Sequence, residues 1–295
     1  MLNLEYIRMF VIAAEQGSFS ACARKTGKVQ SAVSQAINNL EIDLGVTLFD
    51  RTSRQPVLTE AGTRLLKMAQ GLLVQADELS KTAAAISQSQ ETRLSIAIDD
   101  GMLTPAIYAL IARLESRFST LELDFATLPS HDIALAVESG KIDLGLMFSE
   151  IESMKTTDFF FVANVPFVAV CHPSHPLAEA SKISSTALLQ HKQIAVRGSA
   201  KRESQFLISM ASNVWWCSGY QHALSLLLQG IGWAYLPAFM AKDALITGKL
   251  KPMDMVFDHK TWSVPVDIIT PRGRLHGPVV QWFSNELKKT LAEEF

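Results

Sequence analysis

Charge of one sign is scarce in this chain of 295 residues: 27 basic side chains meet 29 acidic ones, for a net charge of −2. That balance excludes a uniformly basic surface built for nucleic acid or membrane. Cysteine is scarce too. Cys22, Cys171 and Cys217 are odd in number, far apart and never in a Cys-x-x-Cys pair. They exclude a secreted disulfide framework and point to a reducing compartment. Long apolar runs are missing: "FFFVANVPFVAV" is the most apolar later stretch, broken by Asn164 and Pro166, and a membrane helix needs about 20 such residues. The N-terminal stripe carries Glu5, Arg8 and Glu15, so it is no signal peptide. A soluble, cytoplasmic chain is expected, with no membrane partner. GxSxG, P-loop and GxGxxG motifs and paired catalytic carboxylates are absent as well. Neither an enzyme nor a cofactor is expected. "CHPSHP" gathers Cys171, His172 and His175, but its prolines impose an extended segment without ligand geometry, so no metal site is expected either.

What is present is ample core material, 48% hydrophobic against 19% charged, in a length that suits two or three domains. Leu4, Ile7, Phe10, Val11 and Ala14 form a helical stripe ending at Gly17. "SFSACARK" restarts a short helix with Ser18 or Ser20 as N-cap, and "TGKVQS" turns the chain into a second. In that next helix Val33, Ile37, Leu40 and Leu44 recur on one side; Ser31, Gln35 and Asn38 recur on another, and no Lys or Arg lies between Gln30 and Asp50. A solvated face normally mixes both charges. Hydroxyls and amides in a row are donors and acceptors able to read something. Two short helices around a glycine-containing turn describe a helix-turn-helix. "VTLFDRTSRQPVLT" adds a hairpin, or wing, with Leu48 and Phe49 inward and Arg51 and Arg54 at or near its tip. Arg24, Lys25 and Lys28 make a local basic cluster, since no acid lies between Glu15 and Glu41.

From Thr59 a long helix runs to about Gln88, and Leu65, Leu72, Leu79 and Ile86 recur every seven residues with alanines beside them. Such a seam suits a partner helix. Packing on its own domain is the alternative. From Arg93 the pattern becomes βαβαβ, two strand-like runs ("DFFFVAN", "FVAVCH") follow, and a second α/β set closes on a strand "SVPVDIIT" and a final helix from about Pro278. This implies an α/β protein with parallel sheet in two lobes around a cleft. The expected division is a winged helix-turn-helix over 1–58, a linker helix over 59–90, and a two-lobed domain over 91–295. Lobe I would take about 91–163 and 266–295, and lobe II about 164–265.

"FVIAAEQGSFSACARK", "QSAVSQAINNLEIDLGVTLFDR" and "LTEAG" resemble, in order and spacing, the DNA-binding domain of LysR-type transcriptional regulators. "ESGKIDLGL", "HPSHPLA" and "QGIGWAYLP" are similar to segments of that family's periplasmic-binding-protein-like effector domain, so the resemblance spans essentially the whole chain. It implies a homodimer or homotetramer that binds double-stranded promoter DNA and is tuned by a small-molecule effector. By position it implies base readers at Gln30, Ser31, Ser34, Gln35 and Asn38 and backbone or minor-groove contacts at Arg51 and Arg54, with Arg24, Lys25 and Lys28 as supplementary phosphate contacts. The chain departs from the family where arginines are usual along the helix: here stand Gln35, Asn38 and Asn39.

An effector in an open α/β sheet sits beyond the strands' carboxyl ends, at helix N-termini. The turns there supply Asp99, Asp100, Met102, Ser130, His131, Phe148, Arg197, Ser199, Cys217 and Ser218. Arg197 favours a carboxylate. Asp99 and Asp100 either offset the helix dipole themselves, or at least one faces the cleft and meets an amine or hydroxyl, in which case a zwitterion or polyol is expected. A competing reading is a redox-switched regulator that uses Cys171 or Cys217 in place of a ligand.

Overall fold

The structure, a computed structural model, describes residues 2–52, 56–87, 91–258 and 260–295. It divides into two compact units, Met1–Gln88 and Ser89–Phe295. The first holds α1 (Leu4–Gln16), α2 (Phe19–Thr26), α3 (Gln30–Leu44), the strands β1 (Phe49–Asp50) and β2 (Val57–Leu58), and α4 (Glu60–Ser87). Asn3 accepts a hydrogen bond from Glu5 N to open α1, and Ser18 accepts one from Ala21 N to open α2. Val33, Ile37 and Leu40 seat α3 on a core that is almost wholly sealed. The Phe49 ring stands edge-on to Phe10 at 5.8 Å and to Phe19 at 5.2 Å, which bolts the hairpin to α1 and α2. Thr59 accepts from Gly62 N at 2.9 Å to start α4. A Cβ at Gly62 would lie 2.1 Å from the Leu48 carbonyl oxygen, so only glycine lets α4 pass this close to the hairpin.

The seven-residue seam divides along α4. Leu65, with Leu66, Ala69 and Leu73, packs on the helix-turn-helix core of its own chain. Beyond that point Leu72 is 38% exposed and Leu79 is 72% exposed. The side chain of Ile86, like Arg54, lies outside the described residues.

The second unit runs β3 (Arg93–Ile98), α5 (Pro105–Arg117), β4 (Glu122–Thr127), α6 (Ser130–Glu138), β5 (Leu144–Phe148), β6 (Thr157–Cys171), α7 (Ser185–Leu188), β7 (Gln193–Val196), β8 (Val214–Cys217), α8 (Tyr220–Leu228), β9 (Trp233–Pro237), α9 (Ala238–Ile246), β10 (Lys251–Pro252), β11 (Trp262–Pro271) and α10 (Pro278–Glu294). Thr104 caps α5 and Pro105 opens it. The strands form one sheet in the order β4-β3-β5-β11-β6-β9-β7-β8, with β10 on β6. Pairing is parallel around β3 and around β7, and antiparallel along β6 and β11, which run through both lobes. Their register shifts between Val266 and Asp267, midway along the shared ladder.

Two expectations change. The runs "DFFFVAN" and "FVAVCH" are a single strand of 15 residues, β6. Pro166 does not break it because β9 begins to pair only at Phe167, so the proline has a strand neighbour on one side alone. α9 was not legible as a helix: "AFMAKDALI" is apolar around most of its circumference and so lacks a 3.6-residue stripe.

Candidate DNA-reading face and effector cleft

α3 carries its core residues on one side and leaves Ser31 and Gln35 exposed, with Ser34 and Asn38 half-buried, on the other. At 100° per residue these four share one face. The amides are held in place. Gln35 Nε2 donates to Asn39 Oδ1 at 2.9 Å, and Asn39 Nδ2 donates to Tyr6 Oη at 3.4 Å. Gln35 is exposed, and its Oε1 and second N–H make no hydrogen bond among the described residues. Gln30 Oε1 accepts from Ser20 Oγ at 2.9 Å, fixing the start of α3 to α2.

The basic residues are mostly engaged. Lys28 pairs with Glu5, and Lys25 with Glu15 at 3.8 Å, both exposed. Such pairs are worth about 0.2–1 kcal/mol, so exchanging them for phosphate costs little. Arg24 is exposed and has no ion-pair partner among the described residues. Arg51 is more firmly placed: its guanidinium meets Glu41 Oε2 at 2.8 Å and lies over the Phe19 ring at 5.6 Å. Glu41 Oε1 accepts from Leu48 N and Phe49 N, so this arginine also pins the wing to α3.

In the second unit the cleft lies between α6 and the loop after β7. Asp99, Ser130, His131, Phe148 and Arg197 line it together with Glu150 and Tyr220, which the sequence did not single out. Its cavity is about 20 Å³, space for about one water. The cleft closes on its own carboxylates. Asp99 is buried, accepts from Ser130 N at 2.8 Å and Ser130 Oγ at 2.6 Å, and takes Gly101 N on its other oxygen. Burial outweighs those bonds and pushes its carboxyl up to about 7. Asp100 reaches across to accept from Tyr220 N and Gln221 N, both at 2.9 Å, capping α8 where Gly219 offers no side chain. Asp132, in the first turn of α6, accepts from Ser199 N and Ser199 Oγ. A Cβ at Gly198 would lie 2.5 Å from the Asp132 carboxylate, so glycine is what lets this second crossing form. Half-buried His131 and buried Glu150 meet at 2.9 Å, and the Arg197 guanidinium stacks over Trp216 at 4.3 Å.

Five of the expected effector residues do not line this cavity: Asp100 and Ser199 are taken up in the two crossings, and Met102, Cys217 and Ser218 fall elsewhere. Met102 is fully buried in the hydrophobic core, because the 3₁₀ turn after β3 points it inward. Cys217 is half-buried and donates to the Ala195 and Gly219 carbonyls; Ser218 is exposed, and neither lines the cavity. Burial raises the Cys217 thiol, and raises Cys171, which is fully buried, to about 11. Neither has the lowered value of a reactive thiol. Among the described residues no group of three His, Cys, Asp or Glu side chains could hold a metal, and no helix is long and apolar enough to cross a membrane.

A helix-turn-helix presenting an amide-rich helix, followed by a long helix and a two-lobed α/β unit with a charged cleft, defines a DNA-binding transcriptional regulator with a sensory domain. Residues 4–63 match the family described as bacterial regulatory helix-turn-helix protein, lysR family, and residues 87–292 match the LysR substrate binding domain. The chain belongs to the LysR family of transcriptional regulators. It is 33% identical over 272 residues to the regulator AceR of Acinetobacter baumannii, covering 92% of this chain and 91% of that one. It is 27% identical to the probable regulator YhaJ of Escherichia coli K12, over 98% and 96% of the two chains. A mutant of OxyR from Corynebacterium glutamicum shares the fold with a TM-score of 0.54 at 19% identity, over 99% of this chain and 93% of that one.

Proposed function

We propose that α3 reads operator DNA through Ser31, Ser34, Gln35 and Asn38, that the exposed part of α4 assembles the oligomer, and that the cleft senses a zwitterion or polyol. The observation that carries the first part is the uncharged, pre-oriented amide face of α3. Short hydroxyls and amides reach base edges in the major groove, and a glutamine amide pairs bidentately with adenine. Phosphate contacts fall to Arg24, Lys25 and Lys28, with Arg51 bound first to the wing. The charges of the cleft support the effector class. Arg197 welcomes a carboxylate, while Asp100 and Asp132 already occupy the backbone N–H groups that a dicarboxylate would need. A ligand must therefore bring donors of its own.

The test is binding to a selected operator and its single-base variants. Gln35→Ala is expected to flatten the preference at one base pair of each half-site by about 1–3 kcal/mol and to leave nonspecific DNA binding nearly intact. An unchanged preference among the variants removes Gln35 from the reading face.

A further inference from the structure

A second pocket, of about 150 Å³, shares no lining residue with the cleft. It opens in lobe II where the segment 205–210 lies against β9 and the start of β11. Its walls are apolar, with four aromatic rings, Phe206, Tyr235, Phe257 and Trp262. Asp258 is its one charged lining residue among the described residues. Asp258 Oδ2 accepts from the Tyr235 hydroxyl at 2.8 Å, and Oδ1 takes no hydrogen bond among the described residues. Trp262 Nε1 donates to the Phe206 carbonyl at 3.0 Å, which fixes one wall. The mouth is apolar and open: Ile208 is 62% exposed and Trp262 45%. An exposed apolar rim of this kind marks a binding site more often than a bare surface.

Size and charge select the occupant. A volume of about 150 Å³ is what an enclosed apolar cavity needs to hold a single benzene ring, so one ring fits this pocket. Aromatic faces attract a cation, and the lone carboxylate offers it a charge-assisted hydrogen bond. An anion would meet Asp258 with like charge. We propose that this pocket binds a small arylalkylamine in its ammonium form, the ring among the aromatic walls and the nitrogen on Asp258. The site stands apart from the cleft reading above, and it bears on the same loop. Gln205, at the pocket wall, accepts from Ile151 N of lobe I at 3.2 Å, and Ser199 upstream holds Asp132. Occupancy would steady the loop that ties the lobes together.

Titration calorimetry on the full chain at neutral pH tests this with 2-phenylethylamine, 2-phenylethanol and phenylacetate, one ring carrying three charges. The amine is expected to bind about tenfold or more tightly than the alcohol, and phenylacetate to give no heat. Asp258→Asn should bring the amine down to the alcohol's affinity, and Leu207→Trp, which fills the pocket, should abolish both. Operator affinity without ligand should be unchanged in either variant. No binding of the amine, equal affinity of amine and alcohol, or amine binding undiminished in both variants would overturn the assignment. The comparison of the three compounds on the unmodified chain stands even if a variant fails to fold.

Discussion

At the scale of single residues the cleft is governed by acids that satisfy one another's surroundings. Asp99 has the clearest consequence. Its carboxyl is raised in the folded chain to about 7, chiefly by burial, whereas an unfolded aspartate sits near 3.9. The native state then holds more protons than the unfolded one between those values, so stability falls as pH rises through that window. Between pH 6 and pH 8 the loss from this one group is about 1 kcal/mol. Urea denaturation of the second unit's transition at the two pH values checks it. Asp99→Asn should remove most of the difference, at the cost of a generally weaker fold because an amide cannot accept all three bonds. A pH difference that persists in the variant assigns it to another group. The cross-cleft partners were beyond the sequence's reach for a plain reason. Asp100 and Tyr220 stand 120 positions apart, and Asp132 and Ser199 stand 67 apart; no local period links them. Asp99 and Asp100 could be singled out only as acids at a helix-side turn. Asp99 ends on N–H groups of its own lobe, at Gly101 and Ser130, whereas Asp100 ends on those of Tyr220 and Gln221 across the cleft, which only the assembled lobes bring together.

At the scale of elements, the two ends of α4 differ in what covers their leucines. Leu65 lies against the helix-turn-helix core, and Leu79 faces outward. Between them Leu2, Phe10, Leu44, Met68 and Leu72 line an apolar groove of about 260 Å³, wide enough to take side chains from another helix. Substitutions one face apart should then fail differently. Leu65→Asp is expected to destabilise the DNA-binding unit by more than about 2 kcal/mol, since it puts a charge into packed surface. Leu79→Asp should leave that unit folded and separate the oligomer, with operator affinity falling alongside. Circular dichroism of thermal melts paired with sedimentation velocity distinguishes them, and a dimeric, fully active Leu79→Asp protein would move the interface. The periodicity showed the helix and its apolar stripe. It could not apportion the stripe between own core and partner, because both demand leucines at the same spacing. The helices and strands of the second unit were legible wherever period and caps agreed, as at Thr104 and Pro105. They were illegible where burial erased the period, as in α9.

At the scale of the whole molecule, a net charge of −2 supplies no general pull toward DNA. Salt dependence should therefore report a few identifiable contacts. Each phosphate neutralised contributes about −0.9 to the slope of log affinity against log salt. Arg24→Ala, counted once in each half-site of a dimer, is expected to reduce the slope by about 2 in magnitude. Fluorescence anisotropy across a salt series measures it, and an unchanged slope returns Arg24 to the solvent. The two units also differ in how their chain is spent. The first closes within residues 1–88. The second is stitched by β11, whose Ile269 pairs with Gly145 and whose Trp262 pairs with Phe167, so each lobe borrows a strand from near the carboxyl terminus. On the ribosome the DNA-binding unit would have all its parts long before the sensor does. A nascent chain stalled before β11 would then carry a finished reading head and an unfinished switch, its apolar strands left to chaperones until the last stretch emerges.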